Sequence, residues 1–280
     1  MKKNRLGQSE ILVSELCLGT MTFGTQTNEN DAHEQIDLAL ESGINFIDTA
    51  EMYPVNPISK DTIGKTEMFI GNWNAMNSHR RSDYILATKH SGEGLKHTRD
   101  GAPISKSTIE KTIEESLKRL RTDYIDLYQF HWPNRGSYMF RKNWIYDPSS
   151  QDKQKTIDNM LDCLRALEDQ VRKGNIRHIG LSNESAWGTA QWLRLSEENA
   201  LPRVQTIQNE YSLLCRLYDT DLAELSVNEE VGLLAFSPLA AGLLTGKYQN
   251  KKVPPGSRKS LVPELSGRVT NRVWPAVDKY

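Results

Sequence analysis

The sequence predicts a parallel α/β barrel, and three observations carry that prediction. Short apolar runs alternate with longer amphipathic ones, the pattern of βαβ units. The short runs are apolar throughout instead of alternating, as strands covered on both faces are. Each of most of these runs also ends in a polar or ionisable residue, which is where barrels of this kind place their chemistry. At 280 residues the chain suits one such domain, residues 1–280.

The elements follow in order. The segment from Leu6 to Val13 is expected to form a small hairpin ahead of the first strand. Strands are expected at residues 16–19, 44–48, 84–89, 124–130, 176–182, 204–209 and 232–237. The helices between them show apolar residues at i, i+4 and i+7. One carries Ile109, Ile113, Leu117 and Leu120 on a stripe, with Ser107 and Glu110 at capping-box spacing. Another carries Ile157, Leu161, Leu164 and Val171 and stops at Gly174, a natural left-handed terminator. This gives seven strands where a (β/α)8 barrel has eight, so the expectation is a barrel incomplete at its C-terminal side. Trp274 and Val273 then look for a packing partner beyond the chain. An open doubly wound sheet is the competing arrangement. It usually carries a Gly-rich turn after its first strand, and Gly19-Thr-Met-Thr-Phe-Gly24 is not that turn.

Composition narrows the function classes. A formal net charge of -1 offers no surface for nucleic acid, and no apolar stretch is long enough to cross a bilayer. Cys17, Cys163 and Cys215 are too scattered for a metal site; the expectation is buried, reduced thiols in a cytoplasmic protein.

The polar strand ends are Asp48, Lys89, His131, Ser182-Asn183, Gln208-Asn209 and Ser237, with Tyr53 five residues beyond Asp48. Four of these make a proton-transfer unit. The phenol of Tyr53, with an ordinary pKa of about 10, is a poor acid at neutral pH unless a cation lowers it. Lys89 is the candidate cation, Asp48 would hold it charged, and His131 would hydrogen-bond a substrate carbonyl. Taken singly, Asp48 reads equally well as a helix N-cap, Lys89 as a snorkelling side chain and His131 as a core histidine. Their arrival at successive strand ends favours the functional reading.

Ile44-Asn-Phe-Ile-Asp-Thr-Ala-Glu-Met-Tyr53, Leu86-Ala-Thr-Lys89 and Leu117-Lys-Arg-Leu-Arg-Thr-Asp-Tyr-Ile-Asp-Leu-Tyr-Gln-Phe-His131 resemble the signatures of the aldo-keto reductases. Asp61-Thr-Ile-Gly-Lys-Thr-Glu67 and Ile70-Gly-Asn-Trp73 further resemble a bacterial, Tas-like subgroup of that family. The resemblance spans essentially the whole chain. It implies NADPH-dependent reduction of an aldehyde or ketone, with Tyr53 as general acid and Asp48, Lys89 and His131 as the rest of the catalytic set. It also implies that Ser182, Asn183 and Gln208 hold the nicotinamide carboxamide, with Tyr211 near the ring. Gly19, Thr20, Met21 and Asp48 would line the same cofactor site. Phe236, Ser237, Pro238, Leu239, Gly242, Lys247 and Arg258 would wrap the pyrophosphate. No metal is implied. The segment absent from the barrel would supply much of the adenosine and 2′-phosphate site.

The long connection after His131 carries Tyr138, Phe140, Trp144 and Tyr146. It reads either as a partly apolar substrate lid or as a surface flap or oligomer contact. Three other functions compete with reduction: a cofactor-binding regulatory subunit, an inactive remnant of a reductase, and a metal-dependent hydrolase. The six histidines, in no paired spacing, weigh against the last.

Overall fold

A computed structural model describes all 280 residues. Seven parallel strands, β3 (Leu18–Gly19), β4 (Phe46–Asp48), β5 (Ile85–His90), β6 (Ile125–Phe130), β7 (Ile176–Ser182), β8 (Val204–Glu210) and β9 (Gly232–Phe236), lie side by side in chain order. Helices α1 (Glu29–Glu41), α2 (Lys65–Met76), α3 (Lys106–Leu120), α4 (Lys153–Arg172), α5 (Ala186–Glu198) and α6 (Leu222–Asn228) cover one face. A side-chain bond reveals the curvature. Gln208 on β8 reaches Asp48 on β4 at 2.9 Å, although four strand spacings would separate them by about 19 Å in a flat sheet. The sheet is therefore curled into an open barrel whose edge strands are β3 and β9.

The alternation of side chains sorts the strands into two environments. Ile47, Leu86, Tyr128, Phe130, Ile179, Leu181 and Ile207 point outward and join Ile109, Ile113, Leu164 and Trp192 in the main core between sheet and helices. The residues between them point inward. At the N-terminal end these are apolar, with Phe46, Ala87 and Leu127 packed on Leu6 and Val13. At the C-terminal end they are Asp48, Lys89, Gln129, Ser182 and Gln208. A barrel floor of hydrocarbon thus carries a polar mouth.

The hairpin differs from its expected position. Strands β1 (Lys3–Arg5) and β2 (Leu12–Ser14) flank residues 6–11, which form the turn and not the ladder. Gly7 sits there at φ 59 with no room for a side chain, since a Cβ would lie 2.3 Å from the Gln205 carbonyl oxygen. The hairpin thereby plugs the closed end. The N-cap of helix α3 lies two residues earlier than expected: Ser105 caps it and completes a capping box with Thr108, in place of Ser107 and Glu110. Gly174 does follow the end of α4 at φ 79.

After β9 the chain folds into short turns, then α7 (Arg258–Leu261) and α8 (Val273–Val277). Val273 and Trp274 do not wait for an external partner. They pack on Ala240, Leu243, Tyr248 and Leu265 in a small separate cluster. The cysteines also depart from expectation. All three are free, but only Cys163 is buried; Cys215 is half-buried and Cys17, leading into edge strand β3, is exposed. No helix is long and apolar enough to cross a membrane.

Candidate active site

The polar mouth brings the four expected residues together. Asp48 ends β4, Lys89 lies near the end of β5, His131 directly follows β6, and Tyr53 sits in the loop leaving β4. Lys89 Nζ donates to Asp48 Oδ2 at 2.5 Å and to the Thr49 carbonyl at 2.8 Å. The same nitrogen lies 5.0 Å from the centre of the Tyr53 ring. The rings of Tyr53 and His131 meet edge to face at 5.6 Å.

Electrostatics assign protonation states. Burial pulls the Lys89 ammonium down, but Asp48 and then Tyr53 more than restore it, so it stays charged. Burial, with Lys89 adding, pushes His131 well below the usual imidazole value, which keeps it neutral. For Tyr53 the expected net lowering is corrected. Burial raises the phenol above its ordinary value, and the opposing pull of Lys89 does not overcome it. A low-dielectric mouth penalises phenolate more than one ammonium, itself neutralised by Asp48, can repay.

The residues expected at the carboxamide also converge. Ser182 Oγ donates to the Gln208 carbonyl at 2.8 Å, and Asn183 Nδ2 donates to the His131 carbonyl at 2.9 Å. Asn183 Oδ1 is buried without a donor. Gln208 Nε2, expected to face the cofactor, donates to Asp48. Gly19 pairs in register with Asp48, Thr20 Oγ1 donates to the Asp48 carbonyl at 2.8 Å, and the Met21 carbonyl accepts from Val55. Tyr211 packs edge to face on Tyr218 under Arg216, and neither neighbour belongs to the catalytic set.

The residues after β9 form an irregular strap. The Phe236 carbonyl accepts from the Tyr211 amide, and Ser237 takes φ 54 and accepts from Arg268. Pro238 and Leu239 are exposed. Gly242 takes φ 95 beside Lys247, where a Cβ would lie 2.8 Å from the lysine Cε. Arg258 keeps a buried Nε without an acceptor.

Several residues of the mouth escape a reading by strand ends. Gln129 Nε2 donates to Asp48 Oδ1 at 3.1 Å. Glu51 accepts from the Ser91 amide at 2.6 Å and from Arg99 at 2.5 Å, clamping the Tyr53 loop to the end of β5. Glu210 accepts from Arg141 and Arg268 and so joins the long loop after β6 to the C-terminal segment. Trp132 lies 5.1 Å from the His131 ring and 6.2 Å from Phe140. Phe140 of the long loop after β6 thus reaches the mouth, whereas Trp144 is 86% exposed. A cleft of about 540 Å³ beneath the loop is lined by Asn134, Arg135, Gln151, Asn159 and Glu184, but by none of the four catalytic candidates. No group of three or more His, Cys, Asp or Glu side chains is placed to hold a metal.

Residues 15–276 match the aldo/keto reductase family. The chain belongs to that family. It is 44% identical to Protein tas of Escherichia coli over 286 aligned positions, covering all of this chain and 80% of that protein. It is 36% identical to the uncharacterized oxidoreductase YrpG of Bacillus subtilis, over 88% of this chain and 69% of the other. Among solved structures, the holo form of aldo-keto reductase AKR11C1 from Bacillus halodurans superposes with a TM-score of 0.67 at 29% identity, covering 99% of this chain and 81% of that one. An oxidoreductase of the aldo/keto reductase type, and a Tas-like one, is therefore the class, and its seven strands are those of a (β/α)8 barrel.

Proposed function

We propose that this protein reduces a small aldehyde or ketone to the alcohol with NADPH, and that Tyr53 is the general acid. The observation that carries the reading is the buried contact of Lys89 with Asp48 directly beneath the Tyr53 ring and beside His131.

The residues present fit a nicotinamide cofactor. Asn183 Oδ1 lacks a donor, and the adjoining Ser182 lies in register with Gln208, a set that suits a carboxamide. Arg258 Nε lacks an acceptor, and its charge adds to those of Arg141 and Arg268, which share the one carboxylate of Glu210; this leaves positive charge for phosphates. The choice of NADPH over NADH follows the family resemblance. When bound, the reduced nicotinamide supplies the hydride.

The chain's own residues would do the rest. His131, neutral, donates an N–H to the carbonyl oxygen and orients it. Tyr53 transfers its hydroxyl proton to that oxygen as the carbon is reduced. A phenol held above its usual pKa stays protonated throughout the neutral range, and its proton transfer then relies on the Lys89 ammonium to stabilise the phenolate as it forms. The phenolate left behind faces Lys89, whose charge Asp48 maintains, and regains a proton from water after the alcohol leaves. Glu51 and Arg99 hold the loop that positions Tyr53. Three free cysteines suit a reducing compartment, and cytoplasm is the proposed location.

The test is NADPH oxidation by the purified chain with aromatic and aliphatic aldehydes, alongside Tyr53→Phe. Turnover that the phenylalanine variant abolishes supports the assignment. A folded protein that binds NADPH and turns over no carbonyl would replace it with a cofactor-binding, regulatory role.

A further inference from the structure

We propose that Gln129 is a positioning residue for proton transfer, holding the Asp48 carboxylate, and through it the Lys89 ammonium, in register with Tyr53. The inference rests on the reductase reading above.

Gln129 stands two residues before His131 on β6, so its side chain enters the barrel on the same face. It is fully buried. Its Nε2 crosses from β6 to β4 and donates to Asp48 Oδ1 at 3.1 Å, while its Oε1 meets no donor. An apolar side chain of equal length would avoid that unsatisfied acceptor, so the bond to Asp48 is what the amide contributes. The barrel makes room for it. Gly180 on the neighbouring strand has no Cβ, and one placed there would lie 3.2 Å from Gln129 Cγ.

A carboxylate is a rigid plane, so fixing Oδ1 fixes Oδ2, and Oδ2 is the atom that holds Lys89 at 2.5 Å. Two amides share Oδ1, from Gln129 and from Gln208 at 2.9 Å. They are not equivalent. Gln208 is the residue read as turning to the cofactor carboxamide, and once turned it leaves Asp48. Gln129 lies deeper and has no second partner, so it remains the donor that holds the carboxylate during the reaction. Without it the carboxylate is free to rotate, Lys89 follows, and Tyr53 loses part of the cation that stabilises its phenolate.

The experiment compares wild type, Gln129→Met and Gln129→Asn in the full chain. Methionine preserves length without a donor; asparagine preserves the amide but withdraws it by one methylene. Steady-state NADPH oxidation with an aromatic aldehyde is followed across pH. Tyr53 is titrated separately, without substrate, as the tyrosinate absorbance missing from Tyr53→Phe. Both Gln129 variants are expected to lower kcat about tenfold at neutral pH with KM within about twofold. The alkaline limb and the Tyr53 titration are expected to move together to higher pH. Wild-type kcat and an unmoved limb would overturn the inference, as would a kcat loss accompanied only by lower thermal stability. If wild type itself turns over no aldehyde, the reductase reading fails, and the Tyr53 titration still decides the Gln129 contact: a shift in either variant supports it, no shift overturns it.

Discussion

Lys89 and Asp48 form an ion pair in which the ammonium is fully buried and the carboxylate nearly so. Neither charge can be hydrated on its own, so each depends on the other. Lys89→Met should therefore lower both activity and stability. Loss of the cation beneath Tyr53 is expected to reduce kcat by about 10²–10⁴-fold, the range for a disabled acid–base unit. The stranded Asp48 carboxylate should cost about 3–5 kcal/mol. Denaturant unfolding beside single-turnover kinetics would check both; a variant as stable as wild type would mean that Asp48 is hydrated in the open barrel.

His90 predicts an acid-labile fold. Burial, reinforced by Arg99, drops its folded-state pKa to about 3, below the ordinary 6.5. The unfolded chain then binds the proton more readily. The associated stability is fully present above about pH 6.5 and is lost as pH falls toward about 3, with roughly 2 kcal/mol gone by about pH 5. Thermal unfolding from neutral to acid pH should follow that slope, and His90→Gln should flatten it. A parallel decline in both proteins would place the acid sensitivity elsewhere.

The strands were legible because most of their outward residues are apolar, and the inward apolar floor makes runs such as Phe46-Ile47 continuous. The four catalytic candidates were legible because each ends or follows a strand. Gln129 was hidden for the opposite reason: it lies inside Ile125–Phe130, where an isolated amide stands out no more than Asp126 three residues before it. Glu210 was hidden by distance, since its partners Arg141 and Arg268 are 69 and 58 residues away and no local spacing joins them. The cap of α3 was misplaced because Ser105 and Ser107 are both serines, and only backbone geometry separates them. The net direction of the Tyr53 shift required burial, which sequence does not state.

Glu210 ties the loop after β6 to the C-terminal segment. It is buried and receives Arg141 at 2.5 Å and Arg268 at 2.9 Å. Glu210→Gln would leave Arg141 and Arg268 without their shared carboxylate, and the two segments should separate. Hydrogen exchange should accelerate at residues 137–146 and 262–270, with a stability loss of about 3 kcal/mol, while the exchange of β5 and β6 stays unchanged. Unchanged exchange in both segments would show that packing alone retains them.

Gly71 joins packing to the acid. It lies inside α2 where that helix crosses the end of α3, and a Cβ there would sit 1.9 Å from the Arg119 carbonyl oxygen. Alanine ordinarily stabilises a helix interior by up to about 1 kcal/mol relative to glycine. Here the obstacle is backbone, which cannot rotate aside, and the overpacking penalty of about 1–3 kcal/mol should win. The two helices would have to part, stretching the 2.8 Å bond from Asn74 to the Leu120 carbonyl one turn further on. The same displacement acts on the mouth, because the Thr66 amide at the start of α2 donates to the Tyr53 carbonyl. Gly71→Ala is therefore expected to lower Tm and also to reduce kcat by several-fold, although it touches no residue of the catalytic set. Reduced Tm with unchanged kcat would mean that the Glu51–Arg99 clamp alone fixes the Tyr53 loop.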